Sequence, residues 1–265
     1  MKRVLITGGP TNEFVDEVMK ITNMSTGSLS LDLANAALSA GDEVTLIVTN
    51  SVLGSARYVN YGFKDNPKVK TLAIETTQDM YDALESQKDI RYDVVIHASA
   101  VGDYKPEFTF RLEDMAEQLS SYLMTAEGKA SLGKGKEELS KSLLSLMEEG
   151  SCRVNDDTKI SSYEPNLTVK LTLTTKLISN LRKWFPDAKL IGCKLLENVS
   201  HEHLIEVATK LCSKNDMDII MANDLAELRS GELVRYLVDK NGETGISLLQ
   251  NGEPSLMEYA KKEWF

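Results

Sequence analysis

Five short runs of almost unbroken apolar residues set the terms for this chain: "RVLITGG", "DEVTLIVTN", "YDVVIHASAV", "AKLIGCK" and "MDIIMANDL". Strands with no polar face must be covered on both sides, which is the condition of parallel strands inside an α/β protein. Parallel neighbours also need crossover connections, and stretches with apolar residues at helical spacing lie between these runs. They are "GSLSLDLANAALSAG", "TQDMYDALESQK" (capped by Thr76 or Thr77) and "HEHLIEVATKLCSKN". A sixth strand is expected in "KVKTLAIET", and "VRYLVDKNGETGISLL" reads as a β-hairpin turning at Asn241-Gly242. The expected fold is α/β: a Rossmann-like, doubly wound, mostly parallel sheet with a C-terminal β-hairpin. Residues 105–150 are rich in Glu, Lys, Ser and Leu and predict helices, so residues 105–158 are taken as a helical insertion or lid on one domain spanning 1–265.

Composition narrows the function classes. A formal charge of −10 argues against general affinity for nucleic acid or anionic membrane, while leaving room for a local basic pocket. No apolar run reaches the roughly 18 residues of a membrane span. Cys152, Cys193 and Cys212 are far apart and form no CxxC, which reads as reduced thiols in a cytoplasmic protein. His201 and His203 are two residues apart and point away from each other on a helix, so a metal pair is not expected there.

In an open α/β sheet, ligands bind beyond the carboxyl ends of the strands. Those ends read "TGGPTNE", "ASAVGDY", "GCKLLEN" and "MANDL". The first turn, starting at Gly8 and Gly9, matches neither G-x-G-x-x-G nor G-x-x-x-x-G-K-[ST], which disfavours hydride transfer. A second polar loop, "KITNMSTG", precedes the first helix. Asn23, Ser25 and Thr26 supply donors there, and Gly27 opens a helix whose first N–H groups suit an anion. Phosphate binding and plain N-capping by Ser25 or Thr26 both satisfy this pattern. Asp103, after Gly102, suits either a turn or a contact to a cation or sugar. Lys159 has no distinguishing local context.

Taken in order, "ITGGPTNEFVDEVMKITNMSTG", "ASAVGDYKP", "DDTKIS", "LTLTTKLI", "LIGCKLLEN" and "DIIMANDL" resemble the phosphopantothenoylcysteine synthetase family, in its stand-alone form. The resemblance implies a ligase of coenzyme A synthesis. In it, 4'-phosphopantothenate attacks the α-phosphate of CTP, or of ATP in some members, and the acyl-nucleotide then condenses with L-cysteine. It implies Mg2+, a cytoplasmic location and a homodimer. Position by position it assigns Asn23 to the acyl intermediate and Lys159 to the triphosphate as catalytic residues. Gly9, Ser25, Thr26, Gly27, Asp103 and Cys193 fall at nucleotide and phosphate positions, Asp103 also beside the metal, and Ala100 and Lys20 at substrate positions. Asn223 and Asp224 match a strand-end signature. Some positions depart from the family pattern: Met19 stands where it has arginine, with Lys20 beside it; Ser161 and Ser162 shorten its lysine motif; and Cys193 replaces a phenylalanine. The rival readings are an NAD(P)-dependent reductase and a divergent, non-catalytic nucleotide-binding member.

Overall fold

The computed structural model describes residues 1–154, 159–231, 234–249, 252 and 255–265. In chain order its strands are β1 (Arg3–Gly8), β2 (Asn12–Phe14), β3 (Lys20–Thr22), β4 (Glu43–Thr49), β5 (Val69–Ile74), β6 (Val94–His97), β7 (Tyr104–Arg111), β8 (Arg153–Val154), β9 (Leu167–Leu173), β10 (Lys189–Leu196), β11 (Ile219–Asp224), β12 (Val234–Asp239) and β13 (Gly242–Leu249). They fall into two compact units. One comprises Met1–Thr11, Asn23–Gly102 and Thr175–Phe265, and the other Asn12–Thr22 and Asp103–Thr174.

The first unit holds the expected sheet. Its eight strands lie in the order β13-β12-β11-β10-β6-β1-β4-β5. From β5 across to β11 every pairing is parallel, and β12 and β13 close that edge as the antiparallel hairpin. The apolar runs are buried for the reason their composition implies, with helices on both faces. Val4, Ile6, Val94 and Ile96 face the helices Ser28–Ser39 and Leu256–Glu263. Leu5 and Val95 face the helices Thr77–Glu85, Leu181–Trp184 and His201–Lys214. The helix Thr77–Glu85 starts in a capping box: Asp79 N–H donates to Thr76 Oγ1 at 3.0 Å and Thr76 N–H to Asp79 Oδ2 at 2.8 Å. The strand order turns back between β1 and β6, so the chain leaves these two strands in opposite lateral directions and opens a crevice at their carboxyl ends.

The second unit contains more strand than the sequence suggests. Helices Leu112–Met124, Ala126–Gly133 and Lys136–Glu149 occupy most of the segment expected to be helical. They are framed by a three-stranded antiparallel sheet in the order β8-β7-β9. Phe108, Phe110 and Met115 form its small core. Residues 12–22 form the hairpin β2-β3, so the first three residues of the expected polar loop "KITNMSTG" are strand. Asp16 sets its turn, accepting from Val18 N–H at 2.8 Å and Met19 N–H at 2.6 Å.

Candidate functional site

The exits of β1 and β6 are tied together one rung beyond the sheet. Ala98 N–H donates to Thr7 O at 3.2 Å, Ala100 N–H to Gly9 O at 3.0 Å, and Thr11 N–H to Ala100 O at 3.3 Å. The Thr11 side chain adds two bonds, accepting from Gly102 N–H at 2.8 Å and from the Thr77 hydroxyl at 3.0 Å. Onto this frame comes Asn23: its Nδ2 donates to Ala100 O at 3.2 Å and to Val101 O at 3.0 Å. Asn23 and Ala100 are therefore brought together at the reversal of strand order. Ser99, in the same loop, carries a buried hydroxyl with no hydrogen-bond partner among the described residues.

Glycine is required on this side of the crevice. Gly9 and Gly27 have φ of +84° and +69°, and a Cβ on either would come within 2.6 Å of Val52 Cγ2. The two backbones lie so close that a Gly27 Cβ would sit 3.1 Å from the Gly9 nitrogen. The sequence left capping and phosphate binding both open for Ser25 and Thr26, and the geometry is compatible with either. Gly27 itself is the N-cap of Ser28–Ser39 and has no side chain to cap it, and no acidic residue stands in the first turn. Thr26 Oγ1 lies 2.7 Å from the Ser28 hydroxyl and accepts from Ser28 N–H at 3.3 Å, and Ser25 Oγ accepts from Gly27 N–H at 3.4 Å. A helix start free of carboxylates and lined by hydroxyls suits an anion.

Cys193 sits on β10 beside Met221 of β11, half-buried against the cluster that covers the helix Ser28–Ser39. Burial pushes its thiol up to about 11, with the Arg235 charge pulling the other way, so it is a neutral packing group near pH 7. Asp224 accepts from Ala226, Asn198 and Val199 N–H groups at 2.6, 3.1 and 3.0 Å. Those bonds, that of Val199 foremost, lower its pKa, and the residue shapes the β10 and β11 exits.

The remaining candidates belong to the second unit. Lys20 is exposed on β3, and Asp103 is exposed just before β7, its carbonyl accepting from Thr174 N–H at 3.0 Å. Lys159 is also exposed, and its neighbour Ile160 is buried with its N–H donated to Asp16 Oδ2 at 2.9 Å. That bond is the main cause of a lowered Asp16 pKa, with the Lys159 charge a smaller one. Asp16 thus anchors both the turn that carries Met19 and the segment that carries Lys159. In the sequence it counted only as one matched position. Asp156, Asp157 and Thr158, which lead into Lys159, lie outside the described residues. Among the described residues no group of three or more His, Cys, Asp and Glu is placed to hold a metal, and no helix is long and apolar enough to cross a membrane. One exposed carboxylate at Asp103 fits a Mg2+ ion brought by nucleotide phosphates, since Mg2+ commonly binds through one or two carboxylates plus substrate phosphates.

His97, which the sequence left without a role, closes β6 at 8% exposure, with Nδ1 2.8 Å from the buried Thr7 hydroxyl. Burial lowers its pKa from 6.5 to about 4. The folded protein therefore holds it neutral while the unfolded chain protonates it below pH 6.5. Its contribution is complete above that pH and is lost as pH falls toward 4, in total about 3 kcal/mol. Urea unfolding at pH 7.0 and pH 4.5 checks this: wild type loses more stability between the two than His97→Gln does.

The family described as DNA/pantothenate metabolism flavoprotein C-terminal domain matches residues 1–118. The coenzyme A biosynthesis bifunctional protein CoaBC of Thermococcus kodakarensis is 30% identical over 241 residues, covering 91% of this chain and 45% of that protein. CoaBC of Bacillus subtilis is 36% identical over 226 residues, covering 84% and 40%. The chain thus spans a little under half the length of the curated relatives it matches. Among solved structures, the DNA/pantothenate metabolism flavoprotein from Streptococcus pneumoniae superposes with a TM-score of 0.71 at 28% identity, covering 99% of this chain and 96% of that one. Sheet order, strand-exit loops and relatives agree: residues 1–118 match the DNA/pantothenate metabolism flavoprotein C-terminal domain, and the relatives along the whole chain support the phosphopantothenoylcysteine synthetase family that its loop motifs resemble.

Proposed function

We propose that this chain is a phosphopantothenate–cysteine ligase, joining 4'-phosphopantothenate to L-cysteine at the expense of a nucleoside triphosphate, with CTP favoured over ATP. The observation that carries the reading is the seating of Asn23 on the Ala100 and Val101 carbonyls where the strand order reverses. A ligand has to bind close to backbone there, and a carboxamide is a suitable group to orient an acyl carbonyl. In this reading Asn23 guides the acyl intermediate, Gly9 and Ser25 to Gly27 cradle phosphate, and Ala100 borders the substrate. Cys193 lines the nucleotide side, Lys20 approaches the pantothenate end, and Lys159 and Asp103 with Mg2+ neutralise the triphosphate. The charge logic is general to such reactions: two anions meet, and cations must offset them. A cytoplasmic location goes with it. The CTP preference is tested by pyrophosphate release with phosphopantothenate and Mg2+. CTP must support faster turnover than ATP, and equal rates with both would reject it.

The dimer belongs to the same proposal. On the β7-β9 sheet, Tyr104 and Leu173 are register partners, and Leu171 lies on the same strand face as Leu173. Their exposures of 53%, 65% and 42% leave an apolar sheet face that a second copy of the chain would cover. Leu173→Asp is expected to weaken self-association by about tenfold or more. Light scattering after size-exclusion chromatography would then give one chain mass where wild type gives two. A wild-type protein that elutes as a monomer at micromolar concentration contradicts the dimer.

A further inference from the structure

The polar pair beneath the strand exits needs an explanation, because the sheet around it does not require one. Thr7 is fully buried, His97 nearly so, and the two face each other in parallel register on the last rungs of β1 and β6. The residues before them on the same strands, Val4, Leu5, Ile6, Val94, Val95 and Ile96, are buried and apolar. Burying a hydroxyl and an imidazole there costs stability unless each is satisfied, so an apolar pair would pack at least as well. What the pair has that valine lacks is direction. The 2.8 Å contact fixes the imidazole against β1, one residue before the chain leaves β6.

Above that point a column of hydrogen bonds continues the two strand exits. Ala98 is tied to Thr7 O, Ala100 to Gly9 O, Thr11 to Ala100 O, and Gly102 to the Thr11 hydroxyl. Asn23 ends the column through the carbonyls of Ala100 and Val101. A shift at the foot moves the carbonyls that hold the carboxamide.

We propose that Thr7 and His97 form a positioning pair that sets the β6 exit loop, and through it the Asn23 carboxamide, without touching substrate. The inference rests on the ligase reading for its consequence, though not for its geometry. Thr7→Val removes the hydroxyl at nearly constant volume, and Thr7→Ser keeps it. Two readouts separate the cases. In amide 15N–1H spectra, with the Asn23 side-chain signals assigned by their loss in Asn23→Asp, Thr7→Val shifts those signals and Thr7→Ser leaves them near wild type. In turnover assays, Thr7→Val lowers kcat for amide formation by about tenfold or more, with KM for the nucleotide within about twofold, and Thr7→Ser restores it. Unmoved Asn23 signals in a folded Thr7→Val protein overturn the proposal. So does a variant whose only change is a lower melting temperature with kcat intact. If wild type makes no amide at all, the ligase reading fails, and the spectra still decide whether the pair positions Asn23.

Discussion

Lys159→Ala slows pyrophosphate release by about 10²–10³-fold, the scale on which a preorganised charge at a transition state acts. The residue is exposed, so its removal leaves no hole in the core. The segment that carries it stays fixed by the Ile160 N–H to Asp16 bond, which does not involve the lysine side chain. The melting temperature should therefore stay within about 2 °C of wild type, as for other surface substitutions. Lys159→Arg keeps the charge but spreads it over a planar fork, and recovers only part of the rate. Asn23→Ala provides the contrast. It should still release pyrophosphate, because in the proposed reaction it acts after activation, while amide formed per pyrophosphate falls well below one. If Lys159→Ala leaves pyrophosphate release untouched, the assignment of that lysine is wrong; if Asn23→Ala slows both steps equally, the division of labour between the two residues is wrong.

Gly8→Ala is expected to be strongly destabilising. An added Cβ would lie 2.3 Å from Ser30 Cβ and 1.8 Å from Ser30 Oγ, deeper than any side-chain rotation relieves. Ser30 is itself fixed, fully buried and donating to Gly27 O at 2.6 Å. The helix Ser28–Ser39 can rest on β1 at this distance only because Gly8 has no side chain. Overpacking of this kind costs about 3 kcal/mol or more. For a chain of this size that lowers the melting temperature by about 10 °C. Pairing the change with Ser30→Gly removes the clashing atoms and should recover most of the loss, despite about 1 kcal/mol for glycine inside a helix. An unchanged melting temperature in Gly8→Ala would mean that the helix does not approach β1 as described.

The parts of this fold that were legible in the sequence are those in which one physical requirement dominates. Runs such as "TLIVT" and "DIIMA" have no polar face, so they could only be central strands, and Asn241-Gly242 left little choice but a hairpin turn. The second unit was harder because its strands are short or mixed. β2 and β3 are three residues each, "NEF" and "KIT", and β7 carries Lys105, Pro106 and Glu107 ahead of its buried phenylalanines. Pairing partners far along the chain make these segments strands, and no local pattern announces such partners. The site divides the same way. Gly9 was visible as a glycine starting a strand-end turn and Gly27 as one ending a polar loop, whereas a single polar residue on a strand, such as His97 or Thr7, has no periodicity to reveal it. Lys159 was indistinguishable from a solvated lysine on composition, and only the ordered family motifs singled it out. Asp16 was legible as a matched letter, yet its work of tying two segments together depends on tertiary contact with Ile160.

The central claim is that this chain makes an amide from phosphopantothenate and cysteine. The most direct measurement is mass spectrometry of the products after incubating the purified chain with 4'-phosphopantothenate, L-cysteine, Mg2+ and CTP. The account predicts phosphopantothenoylcysteine in one-to-one ratio with pyrophosphate, and none when cysteine or nucleotide is omitted. A folded protein that yields neither product with CTP nor with ATP would contradict it.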